Sequence, residues 1–100
     1  MIYVVWEFTV SPELIVAFEE AYRPDGIWAE LFRRDSAYRE TILLRDFAQA
    51  GRYLTIDVWE NRESYSGFKE RFAAEYRRID EQCERLTSSE RLIGMFTAVV

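Results

Sequence analysis

The chain contains no histidine, a single cysteine (Cys83), two prolines, four glycines and one lysine (Lys69). Each shortage removes a class of chemistry. Without histidine there is no Ser-His-Asp or Cys-His catalysis, no histidine-ligated zinc, iron or copper, and no proximal histidine for haem. One cysteine forbids an intrachain disulfide and any cysteine-built metal site. Carboxylates alone could hold Mg²⁺ or Ca²⁺, but no loop gathers them into a ligand pattern, so no metal and no cofactor is expected. No apolar run nears the roughly 18 residues that cross a bilayer. The segment Met1 to Phe8 lacks a basic stretch and meets Glu7, unlike a signal peptide, so a cytoplasmic location is expected. With 18 acidic against 13 basic residues, the formal charge is −5. Nucleic acid and anionic membrane, which reward basic patches, are therefore not expected partners.

What is present is apolar and aromatic. Hydrophobic residues make up 49% of the 100 positions and aromatics 16%, too many for a disordered segment. A chain of this length buries about 65% of the surface its unfolded form exposes, so one domain over residues 1–100 is expected. All basic residues but Lys69 are arginine, whose planar fork tolerates partial burial and stacks on rings.

Residues 2–10 alternate, with Ile2, Val4, Trp6, Phe8 and Val10 on one face and Tyr3, Val5, Glu7 and Thr9 on the other, the period of a strand. Ser11-Pro12 then reads as a helix start, and Leu14, Ile15, Phe18 and Tyr22 set a helix over 12–23. Pro24-Asp25-Gly26 interrupts it, and a second piece follows at about 27–34. Residues 38–47 and 52–60 read as strands joined by a turn at Ala48–Gly51. Asn61 can cap a long helix over about 62–86, whose stripe runs Tyr65, Phe68, Phe72, Tyr76, Ile79, Cys83 and Leu86. Its 25 residues would span roughly 37 Å, so its last turns should overhang the sheet and bend or break. Residues 92–100 return to a strand.

The order βαββαβ implies an α+β, ferredoxin-like domain with helices on one face of a four-stranded antiparallel sheet. The other face is expected to carry Tyr3, Val5, Leu43, Phe47, Tyr53 and Trp59. Such a face is too apolar to stay wet, and a homodimer packed sheet on sheet is the simplest cover.

Val58-Trp59-Glu60-Asn61-Arg62-Glu63-Ser64-Tyr65, a strand ending in Trp and running straight into a helix, resembles the antibiotic biosynthesis monooxygenase family of dimeric α/β barrels. Arg39-Glu40-Thr41-Ile42-Leu43-Leu44-Arg45-Asp46 resembles the family's second strand, and the likeness extends from Ile2 to Leu86. It implies a homodimer with a pocket in each subunit between helices and sheet. It further implies cofactor-free monooxygenase chemistry, in which a small aromatic or polyketide-like substrate forms an anion that reduces O₂ directly. Two departures stand out. Phe68 occupies the place of a frequent family histidine. Trp6 and the region of Arg78 replace the Asn and His that haem-degrading members use, so haem degradation is not expected. No catalytic residue transfers. The alternative is a non-catalytic ligand-binding or structural homodimer of the same fold.

Pocket candidates are the rings expected to converge between helices and sheet: Trp6, Phe8, Tyr22, Trp28, Phe32, Phe68, Phe72 and Tyr76. The same rings equally suit an ordinary aromatic core. On the dimer-facing side the expectation places Tyr3, Val5, Glu7, Arg45, Asp57 and Trp59, with Glu7, Asp57 and Arg45 as an ion-pair or proton-relay cluster. Tyr22, Tyr38 and Tyr76 are the phenolic donors near a pocket, and Cys83 is expected to be an inert buried thiol.

Overall fold

The computed structural model describes all residues, Met1–Val100. Four strands, β1 (Ile2–Thr9), β2 (Tyr38–Arg45), β3 (Arg52–Trp59) and β4 (Ser89–Phe96), form one antiparallel sheet in the order β2-β3-β1-β4. Four helices, α1 (Ile15–Tyr22), α2 (Ile27–Phe32), α3 (Arg62–Arg71) and α4 (Ala73–Cys83), complete the βαββαβ chain. This is the ferredoxin-like α+β fold.

Local signals explain the boundaries. The Asn61 side chain accepts the Ser64 N–H at 2.8 Å and caps α3. In the β2–β3 turn, Asp46 accepts from the Ala48 and Gln49 N–H groups. There Gly51 adopts φ +83°, and a Cβ would stand 2.4 Å from the Val10 carbonyl oxygen; only glycine fits. The stretch 62–86 is not one rod. Phe72, at φ −108° and ψ 27°, divides it into α3 and α4, earlier than the overhanging last turns where a break was expected. β4 also begins three residues sooner than expected, because the Ser88 N–H bonds to the Thr9 carbonyl at 2.8 Å and starts the pairing with β1.

Cross-strand register assigns the faces. Val4 lies opposite Asp57, Trp6 opposite Thr55 and Phe8 opposite Tyr53 on the two central strands. These residues look toward the helices, where rings fill the gap between layers. Trp59 is fully buried and packs its ring on Phe32, Tyr38, Tyr65 and Phe68. Tyr53 packs on Phe18. Four residues expected on the opposite face therefore need correction. Tyr53 and Trp59 belong to the core, Leu43 packs against it, and Phe47 sits fully exposed in the turn rather than on the sheet. The uncovered face instead carries Leu54 and Ile56 of β3, with Ile42 and Leu44 of β2 in register, beside Tyr3 and Val5; Val58 shares this face but is buried, at 2% exposure. Both sets on β3 are apolar enough to be inside. The bulky rings face the helices because an aromatic layer spans the interlayer space more completely than Leu and Val.

Candidate functional site

Between helices and sheet a cavity of about 60 Å³, open at one side, remains unfilled. Trp6 and Phe8 come from β1, Tyr22 from α1, Trp28 and Phe32 from α2 and Tyr76 from α4. The structure brings these six expected rings together around one space. Phe68 and Phe72 do not line it. Phe68 is wedged among Phe32, Trp59 and Phe72 at zero exposure. Phe72 lies at the helix break under the Arg34 guanidinium.

The remaining lining is polar: Thr41, Thr55, Asp57, Asp80 and Glu90. None of these was expected in the pocket. Asp57 was expected on the dimer-facing side, and the structure reverses that placement: on β3 it shares the inward face with Thr55 and Trp59. It is 9% exposed. Its Oδ1 accepts the Thr41 hydroxyl at 2.7 Å, and Thr41 Oγ1 lies 2.7 Å from the Tyr38 hydroxyl. Thr41 has one hydrogen and gives it to Asp57, so Tyr38 is the donor to Thr41. No protein group donates to the second Asp57 oxygen, and Asp57 joins no ion pair. Burial pushes its carboxyl up to about 6, only partly offset by the Thr41 bond. A mid-strand Asp is disfavoured in sheets, and that oddity was the available signal in the sequence.

Asp80 lies one turn beyond Tyr76 on α4, and Glu90 stands opposite Phe8 on β4. Both are exposed at the mouth. The Glu90 carboxyl is raised by burial, then by the Asp80 charge. Burial also lifts the Tyr22 and Tyr76 hydroxyls above the usual phenol range, and the Tyr65 hydroxyl to about 12, so these groups act as neutral donors. The indole N–H groups of Trp28 and Trp59 are buried without an acceptor, and Trp28 lines the cavity. Cys83 is buried, with burial raising its thiol; it is not a thiolate nucleophile.

The other expected sheet-face residues divide. Tyr3, Val5 and Glu7 lie on the uncovered face. Glu7 pairs there with Arg52 and Arg91, each at 2.7 Å, and these bonds hold its carboxyl below the usual range. Arg45 turns to the helix side, where it binds Glu19 of α1 at 2.7 Å. Arg45, Asp57 and Glu7 thus form no cluster, because alternation on β2 and β3 sends the first two inward. Trp59 likewise is a core residue. No set of three or more Cys, Asp or Glu stands close enough to hold a metal ion, and no helix is long and apolar enough to cross a membrane.

No protein-family model and no curated protein sequence matches the chain. Solved structures do. A Deinococcus radiodurans protein provisionally named an antibiotic biosynthesis monooxygenase superposes with a TM-score of 0.77 at 14% identity, covering 100% of this chain and 94% of its own. A Bordetella bronchiseptica protein with the same provisional name gives 0.77 at 16%, covering 99% and 97%. SnoaB from Streptomyces nogalater, described as a cofactor-independent oxygenase, gives 0.73 at 21%, covering 97% and 91%. At such identities the likeness establishes the fold, which is that of the antibiotic biosynthesis monooxygenase proteins.

Proposed function

We propose that this chain works as a homodimeric, cofactor-independent oxygenase on a small electron-rich aromatic molecule, with Asp57 as the base. The observation that carries this reading is Asp57 itself: a carboxylate without a cation partner, buried in a wall of rings. A carboxyl moved from 3.8 to about 6 reflects about 3 kcal/mol of disfavoured charge. A perturbed carboxyl in a cleft is a functional-site candidate, because catalytic bases need such shifted values.

The chemistry follows from its position. At neutral pH the carboxylate is mostly ionised and takes a proton from an activated ring hydroxyl or methylene. The resulting anion passes one electron to O₂, and the radical pair joins into a peroxide. Loss of water, with the proton returned from Asp57, leaves a carbonyl. The balance is CH₂ + O₂ → C=O + H₂O, and the substrate supplies every electron. Thr41, aligned by Tyr38, fixes the carboxylate's orientation and so acts as a positioning residue. The ring walls exclude water from the anion. SnoaB's description as a cofactor-independent oxygenase supports the reading, and the uncovered sheet face supports the homodimer.

The test is protein-dependent O₂ uptake with hydroquinones and anthrone-type phenols. Turnover should fall by on the order of 100-fold or more in Asp57→Asn, and no uptake across the panel refutes the reading. The small cavity favours a second one, a non-catalytic binding homodimer, because about 60 Å³ falls well short of the roughly 300 Å³ at which drug-sized pockets begin. Ligand binding without O₂ uptake would select it.

A further inference from the structure

Two indole N–H groups, those of Trp28 and Trp59, are buried without an acceptor, and their settings differ. Trp59 is enclosed by the rings of Phe32, Tyr38, Tyr65 and Phe68. Trp28, at 8% exposure, lines the cavity. Native folds rarely leave a buried donor unmet, so such a group asks for an explanation. The hydroxyls of Tyr22, Tyr76 and Thr55 along the same wall rotate and either donate or accept. The indole only donates, in a direction its ring fixes. That ring is held by Tyr22 at 6.2 Å, Phe32 at 5.9 Å and Tyr76, edge-on, at 5.0 Å. The turn before it is equally fixed, since a Cβ on Gly26 would stand 2.4 Å from the Ala21 carbonyl oxygen. The Tyr22 hydroxyl and the Cys83 thiol stand beside the indole without accepting its hydrogen at bonding geometry. In the same cavity the second Asp57 oxygen has no donor. The cavity thus lacks one acceptor and one donor.

We propose that Trp28 binds the substrate's oxygen: its Nε1–H donates to a ring hydroxyl or ring carbonyl, while the proton beside that oxygen faces Asp57. The ligand class is an aromatic molecule with an oxygen on its reacting edge. The cavity is open at one side, so that edge enters and the remainder of the ring system stays at the opening. This deepens the oxygenase reading and rests on it for the reaction, though not for binding. When Asp57 removes the hydroxyl proton, or one from carbon next to the carbonyl, the electron pair left behind spreads onto that oxygen. The Trp28 bond then becomes charge-assisted and strengthens. Trp28 transfers no atom, and the anion passes its electron to O₂ as before.

The probes are 1-indanone and indane, alike except for the carbonyl oxygen, titrated into the intact ¹⁵N-labelled protein. Neither requires turnover. The chain has three tryptophans, so three indole N–H resonances report, assigned by substitution to Phe one at a time. 1-Indanone should move the Trp28 resonance downfield and leave that of Trp59 in place, and indane should not move Trp28 downfield. Trp28→Phe should weaken 1-indanone about tenfold and change indane little. The resonance test uses the unaltered protein, so a Trp28→Phe chain that misfolds does not shield the proposal. No binding of 1-indanone, a Trp28 resonance that ignores it or answers indane equally, or a ketone affinity indifferent to Trp28→Phe overturns it. In O₂ uptake, Trp28→Phe should lower kcat on the order of 100-fold and change KM far less. A Trp28 bond to 1-indanone without O₂ uptake across the hydroquinone and anthrone panel keeps the donor and removes the oxygenase reading. O₂ uptake that Trp28→Phe leaves intact does the reverse.

Discussion

Replacing Asp57 by Asn should make the protein more stable and less active. The buried carboxyl titrates near 6 in the fold and near 3.9 in an unfolded chain. The folded state therefore holds this proton more tightly than the unfolded chain does. Its ionisation costs nothing below the unfolded value, costs progressively more as pH rises through the window between the two, and reaches about 3 kcal/mol above the folded value. Asn keeps an oxygen to accept the Thr41 hydroxyl and carries no charge, so at pH 7.5 the variant should gain about 2–3 kcal/mol, on the order of 10 °C in Tm for a chain of this size. The assay is urea unfolding of both proteins at one chain concentration across pH 4–8. Glu7, Glu19 and Asp46 have carboxyls held low by hydrogen bonds, chiefly from Arg91, Tyr53 and the Ala48 N–H respectively. They contribute stability that is lost as pH falls through their lowered values, but they are common to both proteins and cancel in the difference. The gain should shrink steadily from pH 7 to pH 4. A variant no more stable than its parent at pH 7.5, or a difference that ignores pH, refutes the idea that Asp57 is a buried, unpaired charge.

Three further outcomes are expected. Phe68→Ala removes a ring at zero exposure and should cost about 3–5 kcal/mol in denaturant unfolding, with little direct effect on ligand binding since it does not line the cavity. Asn61→Ala deletes the α3 cap and should cost about 1 kcal/mol, read from the same curves. Ile56→Lys places a charge at the centre of the uncovered face, opposite Val5 and Ile42. Light scattering after size exclusion should show dimer for the parent and monomer for the variant, with circular dichroism unchanged; an unaltered mass means this face is not the contact.

Order, strand count and the aromatic identity of the interior were legible in the sequence, because alternation on β1 and the single stripe over 62–86 each admit one reading. The phase of β3 was not. Leu54, Ile56 and Val58 make one apolar face, and Tyr53 with Trp59 makes another, so hydrophobicity cannot choose between them. Only pairing chooses: once β1 turns Trp6 and Phe8 inward, register forces Thr55 and Tyr53 to follow. Asp57 travelled with that error, which is why the buried, unpaired carboxyl of the cavity was assigned to the wrong side of the sheet. Asp80 was hidden differently, lying beside the stripe rather than on it, and Glu90 fell outside the expected limits of β4.

The break at Phe72 divides the second helical segment by task. α3 holds the sheet: Tyr65 and Phe68 clamp Trp59. α4 carries Tyr76 and Asp80 to the cavity and lies against α2, which brings Trp28. A continuous rod would tie these tasks to one axis, so that any change enlarging the cavity would also shift the clamp. With the axis interrupted, substitutions on α4 can alter the width and charge of the opening while the sheet and its anchor stay as they are. The two halves thus reach the core through separate side chains, Tyr65 and Phe68 from α3 and Ile79 and Cys83 from α4.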